Sequence, residues 1–291
     1  MAINRRRAAS SAISSAKKLG GHKNEDTYAS LIEGHVIKGT QKGDVSDQKD
    51  FLYSVKSGKK WQIFLYGHER ISQSSFLNIL EPCLTAFPAD SEKYFQDRIK
   101  CIEFKEAYIR KHGKELAKNL SNETVSRSIG KNEYVDSKTR LAKATSKVAQ
   151  ALEEKDFLRS FLSEAIFNNV EVSYLAAKDS TFMKDNVYKT FHRNDVLDVF
   201  TSKLSPSTSN AGHNSQDFNV PGQKTLLRYS LDGGAEKNLV EIEIRNDSPT
   251  HYRQVRFNMY SKDALTLLHQ NLEEIKMPKP VKGLAFFGKR D

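Results

Sequence analysis

At 291 residues, with 38% hydrophobic and 28% charged residues, the chain can bury a sizeable core and reads as soluble and globular rather than disordered. The sequence has no run of about eighteen apolar residues, so no membrane span is expected, and its cysteine usage fits the reducing cytoplasm of a prokaryotic cell. Two cysteines without a CxxC pair, Cys83 and Cys101, exclude a disulfide framework and a cysteine-held zinc; a net charge of +10, from 46 Lys+Arg against 36 Asp+Glu, points to a polyanionic partner such as nucleic acid.

The charge is uneven: Arg5, Arg6, Arg7, Lys17, Lys18 and Lys23 all precede the first acid, Glu25. Residues 8–19 read as a short Ala/Ser helix ending at Gly20-Gly21, although an Arg- and Ser-rich, acid-free start also has the composition of an organelle transit peptide. Asn24-Glu25-Asp26 opens a helix with Tyr28, Leu31 and Ile32 behind it, and Gly34 closes it. Residues 44–56 form two short strands around the polar turn Asp47-Gln48-Lys49-Asp50, the second being Phe51 to Lys56. Ser57-Gly58 breaks it, and a helix is expected over 59–71. Asp90-Ser91 can cap a long helix to about Leu120, carrying Tyr94, Phe95, Ile99, Ile102, Phe104 and Tyr108 at helical spacing, and both cysteines are expected in the core on helices. A second helical stretch runs from about Asp136-Ser137 to Asn168, and Asn194 or Asp195 caps a further helix. Residues 204–224 form a long Ser/Asn/Gly/Pro loop. Strands Leu239–Ile244 and Val255–Met259, joined through Asp247-Ser248-Pro249, make an antiparallel hairpin. A last helix, about Lys262 to Lys276, ends at Pro278.

Cleaving a phosphodiester with a metal requires carboxylate oxygens to hold it, a cation near the attacking water or the phosphate, and rigid elements to fix both. A β-hairpin can do this, because residues two apart on a strand share a face. Gly43-Asp44 followed, after nine residues, by Ser54-Val55-Lys56 has that form. The segment resembles the PD-(D/E)xK nuclease superfamily, and within it the type II restriction endonucleases; the match spans roughly residues 20–70. The resemblance implies an α/β fold with a restriction-endonuclease-like mixed central sheet flanked by helices, here with a helical middle section and a C-terminal β-hairpin. It implies Mg²⁺, no organic cofactor, and hydrolysis of double-stranded DNA leaving a 5′-phosphate. Asp44 would be the first metal ligand, the Val55 carbonyl would offer another oxygen, and Lys56 would orient and help deprotonate the attacking water.

Gly43 stands where Pro is usual, and Ser54 where Glu or Asp is usual. A serine does not supply the missing negative charge, so a second carboxylate must come from elsewhere. Glu69 follows Lys56 by thirteen positions, as in a subset of restriction enzymes with Ser-x-Lys. Glu25, on the helix before the hairpin, is the other candidate, and both could serve, one per metal. Gln62 and Tyr66 have the Gln-x-x-x-Tyr spacing of RecB-like and lambda-exonuclease-like members, but the same segment also reads as core packing.

A Walker A loop, GxGxxG and GxSxG are all absent from the sequence, and His112-Gly113-Lys114 has the HxK form only once and without the expected Asp. Arg245, Asn246, Arg253, Gln254, Arg256 and Asn258 on the hairpin, with Asn214 and Gln216 in the loop, could read base edges. Lys105, Arg110, Lys111, Lys114 and Lys118 could meet phosphates. One endonuclease domain over 1–291 is expected, with the core motif at about 20–75, a helical section at about 88–200, and recognition at about 204–265. A homodimer is implied by the resemblance, since paired sites cut both strands of a palindrome. The alternatives are a repair or recombination nuclease without site specificity, and a DNA-binding protein whose Ser54 marks a decayed site.

Overall fold

The computed structural model describes residues 20–38, 42–118, 120–178, 187–210, 222–231 and 234–289. The helix expected over 8–19, the basic start before Gly20 apart from its later Lys23, and the base-reading candidates Asn214 and Gln216 lie outside the described residues. In chain order the elements begin with helix α1 (residues 20–31), strands β1 (His35–Val36), β2 (Val45–Ser46), β3 (Leu52–Ser57) and β4 (Lys60–Tyr66). Helices α2 (His68–Ser72), α3 (Glu81–Thr85), α4 (Ser91–His112), α5 (Lys114–Lys118), α6 (Asn122–Ile129), α7 (Glu133–Ala151) and α8 (Lys155–Phe167) follow. Then come β5 (Tyr174–Lys178), β6 (Tyr188–His192), α9 (Arg193–Lys203), β7 (Ser205–Thr208), β8 (Lys224–Tyr229), β9 (Lys237–Asn246), β10 (Tyr252–Tyr260), α10 (Ser261–Asn271), β11 (Glu273–Ile275) and β12 (Leu284–Gly288). The fold is α/β, and no helix among the described residues is long and apolar enough to cross a membrane.

Contacts sort the chain into two compact units, Met1–Trp61 with Arg159–Lys203 and Met259–Asp291, and Gln62–Leu158 with Leu204–Asn258. Each unit is assembled from separated segments with no linker composition at the seams, which is why the sequence reads as one domain.

The first unit holds a seven-stranded mixed sheet in the order β1-β2-β3-β5-β6-β12-β11. The pairs β3/β5 and β6/β12 are parallel; β1/β2, β2/β3, β5/β6 and β11/β12 are antiparallel. One face carries Val45, Tyr53, Val55, Ala176 and Tyr188, against which α1 packs Tyr28 and Ala29. Tyr28 is fully buried, and its hydroxyl bonds the Thr190 hydroxyl at 2.9 Å. By strand alternation the opposite face carries Ser54, Lys56, Leu175, Ala177, Lys189, Phe191, Ala285 and Phe287. His269 of α10 packs edge-on to Phe287 there, with ring centroids 4.5 Å apart. Gly34 is required at its position: a Cβ would lie 2.2 Å from the Ser46 carbonyl oxygen, where the chain passes β2.

The second unit holds a five-stranded sheet in the order β4-β10-β9-β8-β7, with β8 antiparallel to both β7 and β9. The hairpin expected at 239–259 is present as the neighbours β9 and β10. Both cysteines are buried on helices, Cys83 on α3 and Cys101 on α4.

Several expectations are corrected. The helix over 59–71 is strand β4 followed by the short α2; Lys60 and Gln62 face out while Trp61 and Ile63 are buried, a period of two carried by aromatic and β-branched residues. Gln62 and Tyr66 therefore lie on a strand, and Tyr66 stacks on Phe64 with centroids 4.4 Å apart. The long helix stops at His112, where Gly113 at φ +86° closes it, and α5 is a separate turn. The stretch over 136–168 is two helices, α7 and α8. Helix α9 begins at Arg193, and its Asn194 amide donates to His192 Nδ1, so His192 occupies the capping place given to Asn194 or Asp195. The last helix ends at Asn271, and Glu273–Ile275 pairs with β12 instead.

Helix α7 is capped partly from outside itself. Asp97 on α4 is 3% exposed; its carboxylate accepts the Glu133 amide at 2.8 Å and Lys100 Nζ at 3.0 Å. Asn132 caps Val135 at 3.2 Å and donates to the Asp97 carbonyl at 3.3 Å. Asp97→Ala should lower stability by about 2 kcal/mol, because it removes a charge-assisted bond and strands a part-buried amide. Urea melts of the two proteins measure this, and an unchanged midpoint would show that water replaces the carboxylate.

Candidate active site

The β2–β3 turn is built by Asp47. Its Oδ1 accepts the amides of Lys49 (2.9 Å) and Phe51 (3.0 Å), an Asx-type turn in which Asp50 takes φ +61°. Its Oδ2 accepts the Tyr53 hydroxyl at 2.9 Å, tying the turn to β3. Burial raises the Tyr53 pKa well above its ordinary value, with the hydrogen bond to Asp47 adding to it, so the hydroxyl stays a donor.

Asp44 is held at both backbone atoms. Its amide donates to the Tyr53 carbonyl at 2.8 Å and its carbonyl accepts the Ile37 amide at 3.0 Å. The pairing Val45↔Tyr53 ends β2, so beyond it the Asp44 side chain takes the place of a neighbouring strand. Oδ2 accepts the Val55 amide at 2.7 Å, the Ser54 hydroxyl at 3.3 Å and the Lys56 ammonium at 3.1 Å. The N–H and C=O of one strand residue point to the same side, so the Val55 carbonyl also faces Asp44. Lys56 Nζ lies 3.4 Å from that carbonyl oxygen. Asp44 and Lys56 side chains are 21% and 17% exposed, so the pair is screened by protein yet open to a ligand.

The Asp44 carboxylate and the Val55 carbonyl thus converge on one ammonium. Both are hard oxygen donors of the kind Mg²⁺ takes, and that ion is commonly held by one or two carboxylates together with water and substrate phosphate. The donor set fits at that level: a divalent cation would compete with Lys56 for these oxygens. Among the described residues no group of three or more His, Cys, Asp and Glu side chains could hold a metal.

Of the candidate second carboxylates, Glu25 has its described ionic partner elsewhere. Glu25 lies on α1, which packs against the face opposite Ser54 and Lys56, and its carboxylate meets His22 Nδ1 at 3.1 Å. Its neighbour Asn24 does reach the end of β3, donating to Ser57 Oγ at 2.9 Å. Asn24 also receives the Tyr188 hydroxyl at its carbonyl, 3.0 Å away, and burial pushes the Tyr188 pKa up to about 12. Glu69 is exposed in the first turn of α2 and belongs to the second unit.

The base-reading candidates are largely engaged inside the second unit. Arg245 bonds Asp247 at 3.2 Å and His251 at 2.8 Å. Arg256 pairs with Glu243, and burial lowers its pKa. Asn258 is 5% exposed, and Arg253 has φ +56° within β10. Asn246 and Gln254 are partly exposed neighbours of these, on β9 and β10.

Protein-family models, curated proteins and solved structures were each compared with the chain, and none matches.

Proposed function

We propose that this chain is a Mg²⁺-dependent endonuclease that hydrolyses double-stranded DNA at specific sites, in the manner of a type II restriction enzyme, and that it works as a homodimer. One observation carries the reading: Asp44, Ser54, Val55 and Lys56, spaced in sequence as in PD-(D/E)xK nucleases, meet at a single carboxylate oxygen on a β-hairpin. The chain's net charge of +10 supports a polyanionic substrate.

In this reading Asp44 and the Val55 carbonyl would hold Mg²⁺, with water and the substrate phosphate filling its remaining positions. The bound ion would supply Lewis acidity and lower the pKa of water. Lys56, held at the same carboxylate, would face the attacking water and the scissile phosphate, where its ammonium would stabilise developing charge. Ser54, buried beside Asp44, orients that carboxylate in place of contributing charge of its own.

A second reading is favoured by the single carboxylate in the cluster: a DNA-binding protein without catalysis, in which the Lys56–Asp44 pair is structural. Digestion of a long, fully sequenced, unmethylated phage DNA with and without Mg²⁺ separates the two. Discrete Mg²⁺-dependent fragments from the wild type, absent with Asp44→Ala, are the expected result. Ladders or end-degradation would indicate a nuclease without site specificity. Binding with no cleavage at any enzyme excess would establish the non-catalytic protein.

A further inference from the structure

The seven-stranded sheet of the first unit ends, among the described residues, at β11, which pairs with β12 on one side only. The outer side of such a strand presents backbone N–H and C=O groups to any chain that can lie along it. Residues 274–282, which carry β11 outward, are exposed throughout. They include Ile275, Met277 and Val281, at 49%, 41% and 40% exposure. These are three of the seven large hydrophobic side chains exposed among the described residues, gathered within seven positions. Apolar side chains concentrated beside an open strand edge mark a surface that another chain covers.

Strand chemistry selects that chain. A strand that pairs with its own copy about a two-fold axis runs antiparallel to it, and the residue on the axis faces itself, because opposed residues lie on the same face of the sheet. An axis at Glu273, Glu274 or Lys276 would set like charges against each other. An axis at Met277 would place Pro278, which has no N–H, inside the ladder. An axis at Ile275 sets Ile275 against its own copy and Glu274 against the partner's Lys276, twice over in the dimer. Ile275 and Met277 share a face by alternation, so the two isoleucines meet with each methionine on the diagonal. Pro278 and Pro280 then end the ladder after Met277. One partner uses up the edge, so the assembly closes at two copies.

We infer that β11 is the homodimer contact, two copies of the segment 273–277 pairing antiparallel about Ile275; this rests on the homodimer put forward above. The test is sedimentation velocity on the full chain over a concentration series at low salt, for wild type, Glu274→Lys, Lys276→Glu and the double variant. Wild type should form a concentration-dependent dimer. Each single variant should weaken it about tenfold, because either change sets two like-charged pairs across the axis. The double variant, which exchanges the two charges, should restore it. So should an equimolar mixture of the single variants, since a heterodimer of the two has both pairs opposite in sign. A monomeric wild type overturns the inference, and so does a dimer that neither single variant weakens. A loss that neither the double variant nor the mixture repairs overturns the register. Cleavage of the phage DNA is scored on the same wild-type protein. Cleavage by a monomer removes this contact and leaves the nuclease; a dimer that follows the charge pattern and cleaves nothing keeps the contact and removes the nuclease.

Discussion

Lys56→Ala is expected to slow Mg²⁺-dependent cleavage by about 10²- to 10³-fold while leaving the protein folded and DNA binding largely intact. Lys56 makes a charged contact to Asp44 Oδ2, at 3.1 Å, beside the Val55 amide and the Ser54 hydroxyl. Those two remain in the variant, so the carboxylate keeps its position. The Mg²⁺ dependence makes the prediction specific. The ammonium sits on the same two oxygens that would bind the ion, the second being the Val55 carbonyl at 3.4 Å. Removing it removes a competitor, so Mg²⁺ should half-saturate the variant at an equal or lower concentration. Single-turnover cleavage across a Mg²⁺ titration reads both quantities. A variant rescued by more Mg²⁺ would mean that Lys56 only helps to assemble the metal site. A variant as fast as wild type would reduce the pair to a surface salt bridge, worth little to stability or chemistry.

The hairpin was legible because its chemistry is local. Asp47 and Asp50 announce the turn, Phe51 to Lys56 has the β-type composition of a strand, and the nine-residue gap sets Asp44 opposite Ser54. The three-point contact at Asp44 follows from those facts. The rest of the first sheet was not legible. β5, β6 and β12 are five residues each and none of their residues is fully exposed, so their sequences lack the apolar–polar alternation that marks a half-exposed strand. Without them the sheet beyond β3 is invisible. The helix expected over 59–71 failed for the opposite reason: Trp61, Phe64, Leu65 and Tyr66 suit either period, and only the pairing of β4 with β10 decides between them. Glu25 shows the limit of spacing arguments. Its helix was foreseen, but which face of the sheet α1 covers depends on Tyr28 meeting Tyr53 and Tyr188, which are 25 and 160 positions away. No local signal encodes contacts over such separations.

That tertiary anchor yields the largest stability effect expected in the first unit. Tyr28→Ala should destabilise the protein by about 3–5 kcal/mol, the range for deleting a buried aromatic ring. Tyr28 is fully buried, its ring lies 5.5 Å from Tyr53 and 5.2 Å from Tyr188 by centroid, and its hydroxyl bonds Thr190. Burial holds its pKa well above the ordinary tyrosine value, so the hydroxyl stays neutral and the effect should not vary from mildly acidic to mildly alkaline pH. Tyr28→Phe keeps the ring and loses one neutral hydrogen bond, about 1 kcal/mol, with Thr190 left to find another partner. Guanidinium melts of the three proteins separate packing from hydrogen bonding. Equal losses in Ala and Phe would assign the anchor to the hydroxyl pair. The expected ordering, with Ala far below Phe, assigns it to the ring cluster that holds α1 on the sheet and so fixes Asn24 against Ser57 at the end of the strand that carries Lys56.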